Sequence, residues 1–304
     1  MSTLVVIYHL LICCIAFSQN NTNTFKLFYL GGQSNMDGFG YNKDLPDSLS
    51  TNFNDVYIFH GNPAIGGELN GGLGIWEQLK PGHGTGFSSD SAKNNLSERF
   101  GPELSFAKKM KVLFPNEKIA IIKYSRGGTS IDSMSNRKPG CWEPDYNANQ
   151  GINQYDHFLA TLRNAFRDHD IDNDGIEDIL IPTGIVWMQG ESDTDTKEIA
   201  EHYLFNLKRL MDLIRASLLT DDLPIVIGKI SDSWDKGDKV YPYEELVHYA
   251  QEEFVKTDGN AAIVRNAKYY KFSDRWHYDS QAYIDLGASF AEKLYELFLK
   301  KNNK

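Results

Sequence analysis

Cysteine is almost missing from this chain, with three in 304 residues, two of them adjacent at Cys13 and Cys14. Without those two only Cys141 is left, which rules out an internal disulfide and a thiol-built metal site. Positive charge is also short. Lys and Arg number 31 against 41 Asp and Glu, giving a net charge of −10. A surface of that sign argues against nucleic acid or an anionic membrane as the main partner. Charge of either sign is missing from Met1 to Ser18, where Leu4–Ile12 and Ile15–Phe17 form an apolar stretch interrupted by Tyr8 and His9. That stretch is too short for a membrane span. Ala16 and Ser18 put small residues at −3 and −1 before Gln19. The segment therefore reads as a signal peptide over 1–18, leaving a secreted or periplasmic chain, 19–304, with no membrane association once it is cleaved.

What remains alternates between two periodicities. Short apolar runs occur at Phe25–Leu30, Ile119–Tyr124, Ile185–Met188, Ile225–Ile230 and Ala261–Val264. Between them, Ile152, Tyr155, Phe158, Leu159, Leu162 and Phe166 recur at three- and four-residue steps, as do Leu204, Leu207, Leu210, Met211 and Ile214. Strands of this kind separated by amphipathic helices predict an α/β fold with a mostly parallel five-stranded sheet covered on both faces. No repeat and no second apolar core is visible, so a single domain is expected. Residues 41–101 break the rhythm, rich in glycine at 61, 66, 67, 71, 72, 74, 82, 84 and 86, and read as a long insert loop.

The unusual residues follow the strands, where open parallel sheets bind ligands. They are Gly31-Gly32-Gln33-Ser34-Asn35-Met36, Ser125-Arg126-Gly127-Gly128-Thr129-Ser130, Trp187-Met188-Gln189-Gly190-Glu191-Ser192 and Asp274-Arg275-Trp276-His277. A serine on a glycine-bearing strand-to-helix turn can present its hydroxyl beside backbone N–H groups. Met36 stands where the α/β-hydrolase elbow needs glycine, so this is a different turn. Asp274 and His277 can come from one loop, with the carboxylate fixing the tautomer of an imidazole that faces Ser34. Gly128 N–H and the Gln189 amide can face an oxyanion. Alone, each pattern is also an ordinary turn or cap; together they describe a serine esterase.

These blocks, with Gly101-Pro102-Glu103, resemble in order and over nearly the whole chain the sialate O-acetylesterase and carbohydrate esterase family six branch of the SGNH hydrolases. The resemblance implies a three-layer α/β/α fold of flavodoxin-like type and hydrolysis of O-acetyl esters on sugars, with no cofactor in the chemistry. It implies Ser34 as nucleophile, His277 as base, Asp274 as the orienting carboxylate, and Ser34 N–H, Gly128 N–H and Gln189 as the oxyanion hole. Glu191 stands as the alternative acid. The expected partner is an acetylated glycan. An ester of another kind, or a non-catalytic carbohydrate-binding protein on the same fold, are the rivals.

Three further features are singled out. Trp76, Trp142, Trp234 and Trp276 are candidates to line a sugar cleft, Trp142 and Trp276 foremost because they flank motif loops. Arg126 can meet an acidic sugar or make a surface ion pair. Asp170, Asp172 and Asp174, with Gly175 and Asp178, follow the first part of a calcium loop. Ile181 stands where an EF-hand has its glutamate, so a full EF-hand is excluded and a structural calcium is weighed against a plain Asp/Asn/Gly turn.

Overall fold

A computed structural model describes residues 23–302; the expected signal peptide and Cys13–Cys14 lie outside them. Seven strands form one sheet: β1 (Asn23–Gly32), β2 (Val56–His60), β3 (Trp76–Gln78), β4 (Lys118–Ser125), β5 (Asp178–Met188), β6 (Ile225–Gly228) and β7 (Ala261–Val264). Their order across the sheet is β7-β6-β5-β1-β4-β2-β3. Every neighbouring pair is parallel except β2 and β3, which run antiparallel at the edge.

The five expected strands are all present, and two more come from the segment read as a loop. Val56–His60 adds to β4 in parallel, and Trp76–Gln78 folds back on it. Both are short and separated by glycine-rich chain, so neither carries an alternating pattern long enough to read. They extend the apolar sheet, with Val56, Ile58 and Phe59 buried in its core.

The helices are α1 (Ser34–Asp37), α2 (Glu103–Leu113), α3 (Gln154–Ala165), α4 (Lys197–Ser217), α5 (Glu244–Asp258) and α6 (Ser280–Asn302). Consecutive residues of β1 show how they form two layers. Phe28 packs edge-on against Phe106 of α2, while Tyr29 packs against Phe158 of α3. Successive strand residues point to opposite faces, so α2 and α3 lie on opposite sides. α6 sits against α2 so closely that a Cβ on Gly287 would come within 2.1 Å of the Pro102 carbonyl. α4 joins the α3 layer, where Tyr155 meets Ser217 at 3.2 Å. The result is a three-layer α/β/α sandwich. None of the described helices is long and apolar enough to cross a membrane.

The register at the carboxyl end sets up the site. Gly32 of β1 pairs with Ser125 of β4 on one side and Met188 of β5 on the other. The three central strands therefore stop level, and the chain that follows each one emerges beside the others.

Candidate active site

Gly32 makes the first turn possible. Its φ is +145°, and an added Cβ would fall 2.0 Å from the Met188 carbonyl oxygen. Only glycine lets β1 pass β5 this closely. Gln33 N–H then donates to Met188 O at 2.9 Å, and Ser34 opens the single turn of α1. The Gln33 side chain crosses to the third loop. Its Oε1 accepts from the Gln189 amide at 3.3 Å, Gly190 N–H at 3.4 Å and Ser192 N–H at 3.3 Å.

Asn35 ties α1 to the histidine loop. Its amide donates to Glu191 Oε1 at 2.7 Å and to Trp276 O at 3.3 Å, while its Oδ1 accepts from Tyr283 at 2.8 Å. Beneath it, Lys123 and Glu103 form a fully buried ion pair at 2.8 Å. Lys123 also donates to the Asp37 carbonyl at 2.9 Å, at the end of α1. Glu103 Oε1 accepts the Gly101 N–H. The Gly101-Pro102-Glu103 block thus supplies the acid for a lysine that holds the end of α1.

Ser34 and His277 line one cleft of about 390 Å³, together with Asp37, Phe39, Thr85, Arg126, Gly127, Gly128, Glu191, Tyr241 and Trp276. The imidazole is fixed from two directions. Its Nδ1 lies 2.8 Å from Asp274 Oδ2, and its ring stacks on Phe39 with centroids 3.4 Å apart and planes 5° from parallel. Asp274 Oδ1 also accepts the N–H groups of Trp276 and His277, at 2.8 and 2.9 Å. Partial burial raises the Asp274 carboxyl, but these three bonds outweigh it and the net shift is downward.

Glu191 behaves otherwise. It is buried, burial pushes its carboxyl above the usual range against the pull of Asn35, and Oε2 has no hydrogen-bond partner. Its side chain accepts from Asn35, and it is Asp274 that touches His277. Asp37, the residue after the serine motif, is also raised by burial, although Ser125, Lys123, Arg126 and the Gly127 N–H favour its charged form.

Among the described residues, neither the Ser34 nor the Gly128 N–H has an acceptor outside regular helix and strand bonding. Gly128 reaches its position with φ +76°. Gln189 is placed differently from the expectation. It is fully buried, does not line the cleft, and directs its amide to Asp193 at 2.5 Å and to Thr129 O at 3.3 Å.

The tryptophans divide. Trp276 is half-exposed at the cleft. Trp142 is corrected from cleft to core: it is fully buried, packs edge-on against Trp187 and donates to Thr129 Oγ1 at 3.0 Å. An indole has enough apolar area that burial wins wherever its N–H finds a partner. Trp76 is likewise buried, and Trp234 is exposed away from the cleft. Arg126 lines the cleft with no ion pair among the described residues, so the surface-pair reading is set aside. Cys141 is buried, its thiol pushed up to about 12 by desolvation, which leaves it unreactive. Phe39, Asn35, Thr85 and Tyr241 were not singled out from sequence. Only the position of Asn35, inside the serine motif, could have signalled a role.

Comparison with known proteins identifies the family and the fold. The family described as carbohydrate esterase, sialic acid-specific acetylesterase, matches residues 24–296. No curated protein sequence matches significantly. Among solved structures, a protein from Arabidopsis thaliana aligns at TM-score 0.63 with 23% identity, covering 91% of this chain and 99% of that one. A carbohydrate acetylesterase from Xanthomonas citri aligns at 0.60 with 18% identity, over 90% of this chain and 56% of that one. NanS aligns at 0.58 with 15% identity, over 92% and 99%. At these identities the structures share the fold. The family match covers most of the sequence, and the chain belongs to the sialic acid-specific acetylesterase family of carbohydrate esterases, which are serine ester hydrolases.

Proposed function

We propose that Ser34, His277 and Asp274 form the triad that removes acetyl groups from sugars bearing a carboxylate. One observation carries the assignment: His277, held by Asp274 at 2.8 Å and stacked on Phe39, opens on the same cleft as Ser34. Ser34 Oγ attacks the acetyl carbonyl while His277 Nε2 takes its proton. The developing oxyanion meets the N–H groups of Ser34 and Gly128, which have no competing acceptor. His277 then protonates the departing sugar oxygen, leaving an acetyl ester on Ser34. Water, deprotonated by the same nitrogen, attacks the acetyl carbon, and His277 returns the proton to Ser34 Oγ as acetate leaves. Asp274 stays ionised throughout and stabilises the imidazolium.

Gln189, committed to Asp193, serves in this reading to hold the third loop level with the first through Gln33. Trp276 offers an exposed indole face to a pyranose. Arg126 supplies the preference for an acid. An unpaired guanidinium lining a cleft is suited to a carboxylate, which it can hold through two parallel bonds.

Acetate release from O-acetylated sialic acid and from acetylated xylan, measured side by side, tests this. Ser34→Ala is expected to abolish both. Arg126→Met is expected to cut kcat/KM on the acidic sugar by about 10–100-fold and to leave the neutral one within a few-fold. Equal losses on both substrates would remove the carboxylate from the reading and leave the triad standing.

A further inference from the structure

The opposite end of the sheet carries a second cluster that the esterase chemistry does not use. Between α3 and β5, Asp170, Asp172 and Asp174 place carboxylate oxygens within 4.8 Å of one another. Asp178, the first residue of β5, turns back on the same loop and accepts the Ile171 N–H at 2.6 Å. One ammonium meets this group: Lys118 Nζ lies 2.6 Å from Asp172 Oδ2 and 3.9 Å from Asp174 Oδ2.

Two observations separate this loop from a solvated acidic turn. Asp178 is only 7% exposed, yet its Oδ1 is buried without a hydrogen-bond partner. The Asp172 side chain is also 7% exposed, and its Oδ1 is likewise buried and unpartnered. A buried carboxylate oxygen with nothing to accept from is costly unless a cation completes it.

We propose that Asp170, Asp172, Asp174 and Asp178 bind a calcium ion that clamps the amino ends of β1, β4 and β5. The donors are all hard oxygens on a short, adaptable loop, which suits calcium better than the octahedral demand of magnesium or the nitrogen and sulfur preference of zinc. Three central strands converge there. Asn23 opens β1, pairs in register with Asp178 and donates to Asp174 Oδ2 at 2.7 Å, while Lys118 opens β4. The ion would therefore act on stability and leave the chemistry at the other end of the strands unchanged.

The test uses the intact, chelator-treated protein, titrated with calcium chloride by calorimetry and followed by thermal unfolding. Saturable heat and a Tm rise of roughly 5 °C at about 100 times Kd are expected, with kcat for acetate release unaltered. Asp174→Ala, at an exposed position that leaves the core intact, is expected to lower calcium affinity at least tenfold. Lys118→Met, which removes the competing ammonium, is expected to raise it. Absence of heat and of any Tm change in the wild-type protein at millimolar calcium would overturn the proposal, showing Lys118 to be the loop's only counter-ion. An equal response to magnesium at equal concentration would overturn it too.

Discussion

Two candidate carboxylates, Asp274 against His277 and Glu191 in the cleft lining, have surroundings that differ in nearly every respect. Asp274 is partly exposed, keeps its charge, and spends its oxygens on the His277 ring and on two backbone N–H groups of its own loop. Glu191 is buried, is pushed toward its neutral form, and reaches across to Asn35 from a neighbouring loop. Sequence leaves these two as rivals because both follow strand ends and both belong to motif blocks. Environment separates them. A carboxylate that orients an imidazole has to remain an anion in contact with it, whereas one that braces a turn needs a fixed neighbour and little water.

The sharpest way to break the comparison is to neutralise each in turn. Asp274→Asn keeps the shape of the loop but offers His277 the wrong hydrogen-bonding partner, and kcat is expected to fall by about 10³–10⁴-fold. Glu191→Gln keeps an oxygen for Asn35, so turnover is expected within about tenfold of wild type, with at most about 1–2 kcal/mol of stability lost. Steady-state acetate release checks both. A near-normal Asp274→Asn beside an inactive Glu191→Gln would reverse the assignment. The smallest effect is in pH. Asp274 is depressed below its ordinary 3.8. Its bonds therefore stabilise the loop fully above that value, and the contribution disappears as pH falls through the lower folded value. The stability difference between wild type and Asp274→Asn should shrink only below about pH 3.8.

Much of this site was legible because the chemistry lies within contiguous blocks. Gly32 through Asn35, Arg126 through Thr129, and Asp274 through His277 each carry their meaning in adjacent letters, and the parallel sheet supplies the rule that brings them together. What was not legible depends on distant packing. Nothing near Phe39 announces that its ring will lie flat on an imidazole more than two hundred residues away. Trp142 looks like a cleft residue because it follows a motif loop, yet Thr129 gives its N–H a buried partner and Trp187 gives it a surface. Gln189 shows the same limit, since an amide after a strand can face either the cleft or a buried acid such as Asp193. Strands β2 and β3 were not legible for a local reason: five and three residues set in glycine-rich chain carry too little periodicity.

Gly32 has a consequence for anyone wishing to reshape this enzyme. With no room for even a methyl group between β1 and the Met188 carbonyl, and with Gln33 stitched to Gly190 and Ser192, the serine rim and the glutamine rim are in effect a single casting. Neither wall can be shifted to admit a bulkier sugar without moving the other and the Ser34 turn with it. Remodelling has to begin at other lining residues, foremost the half-exposed indole of Trp276.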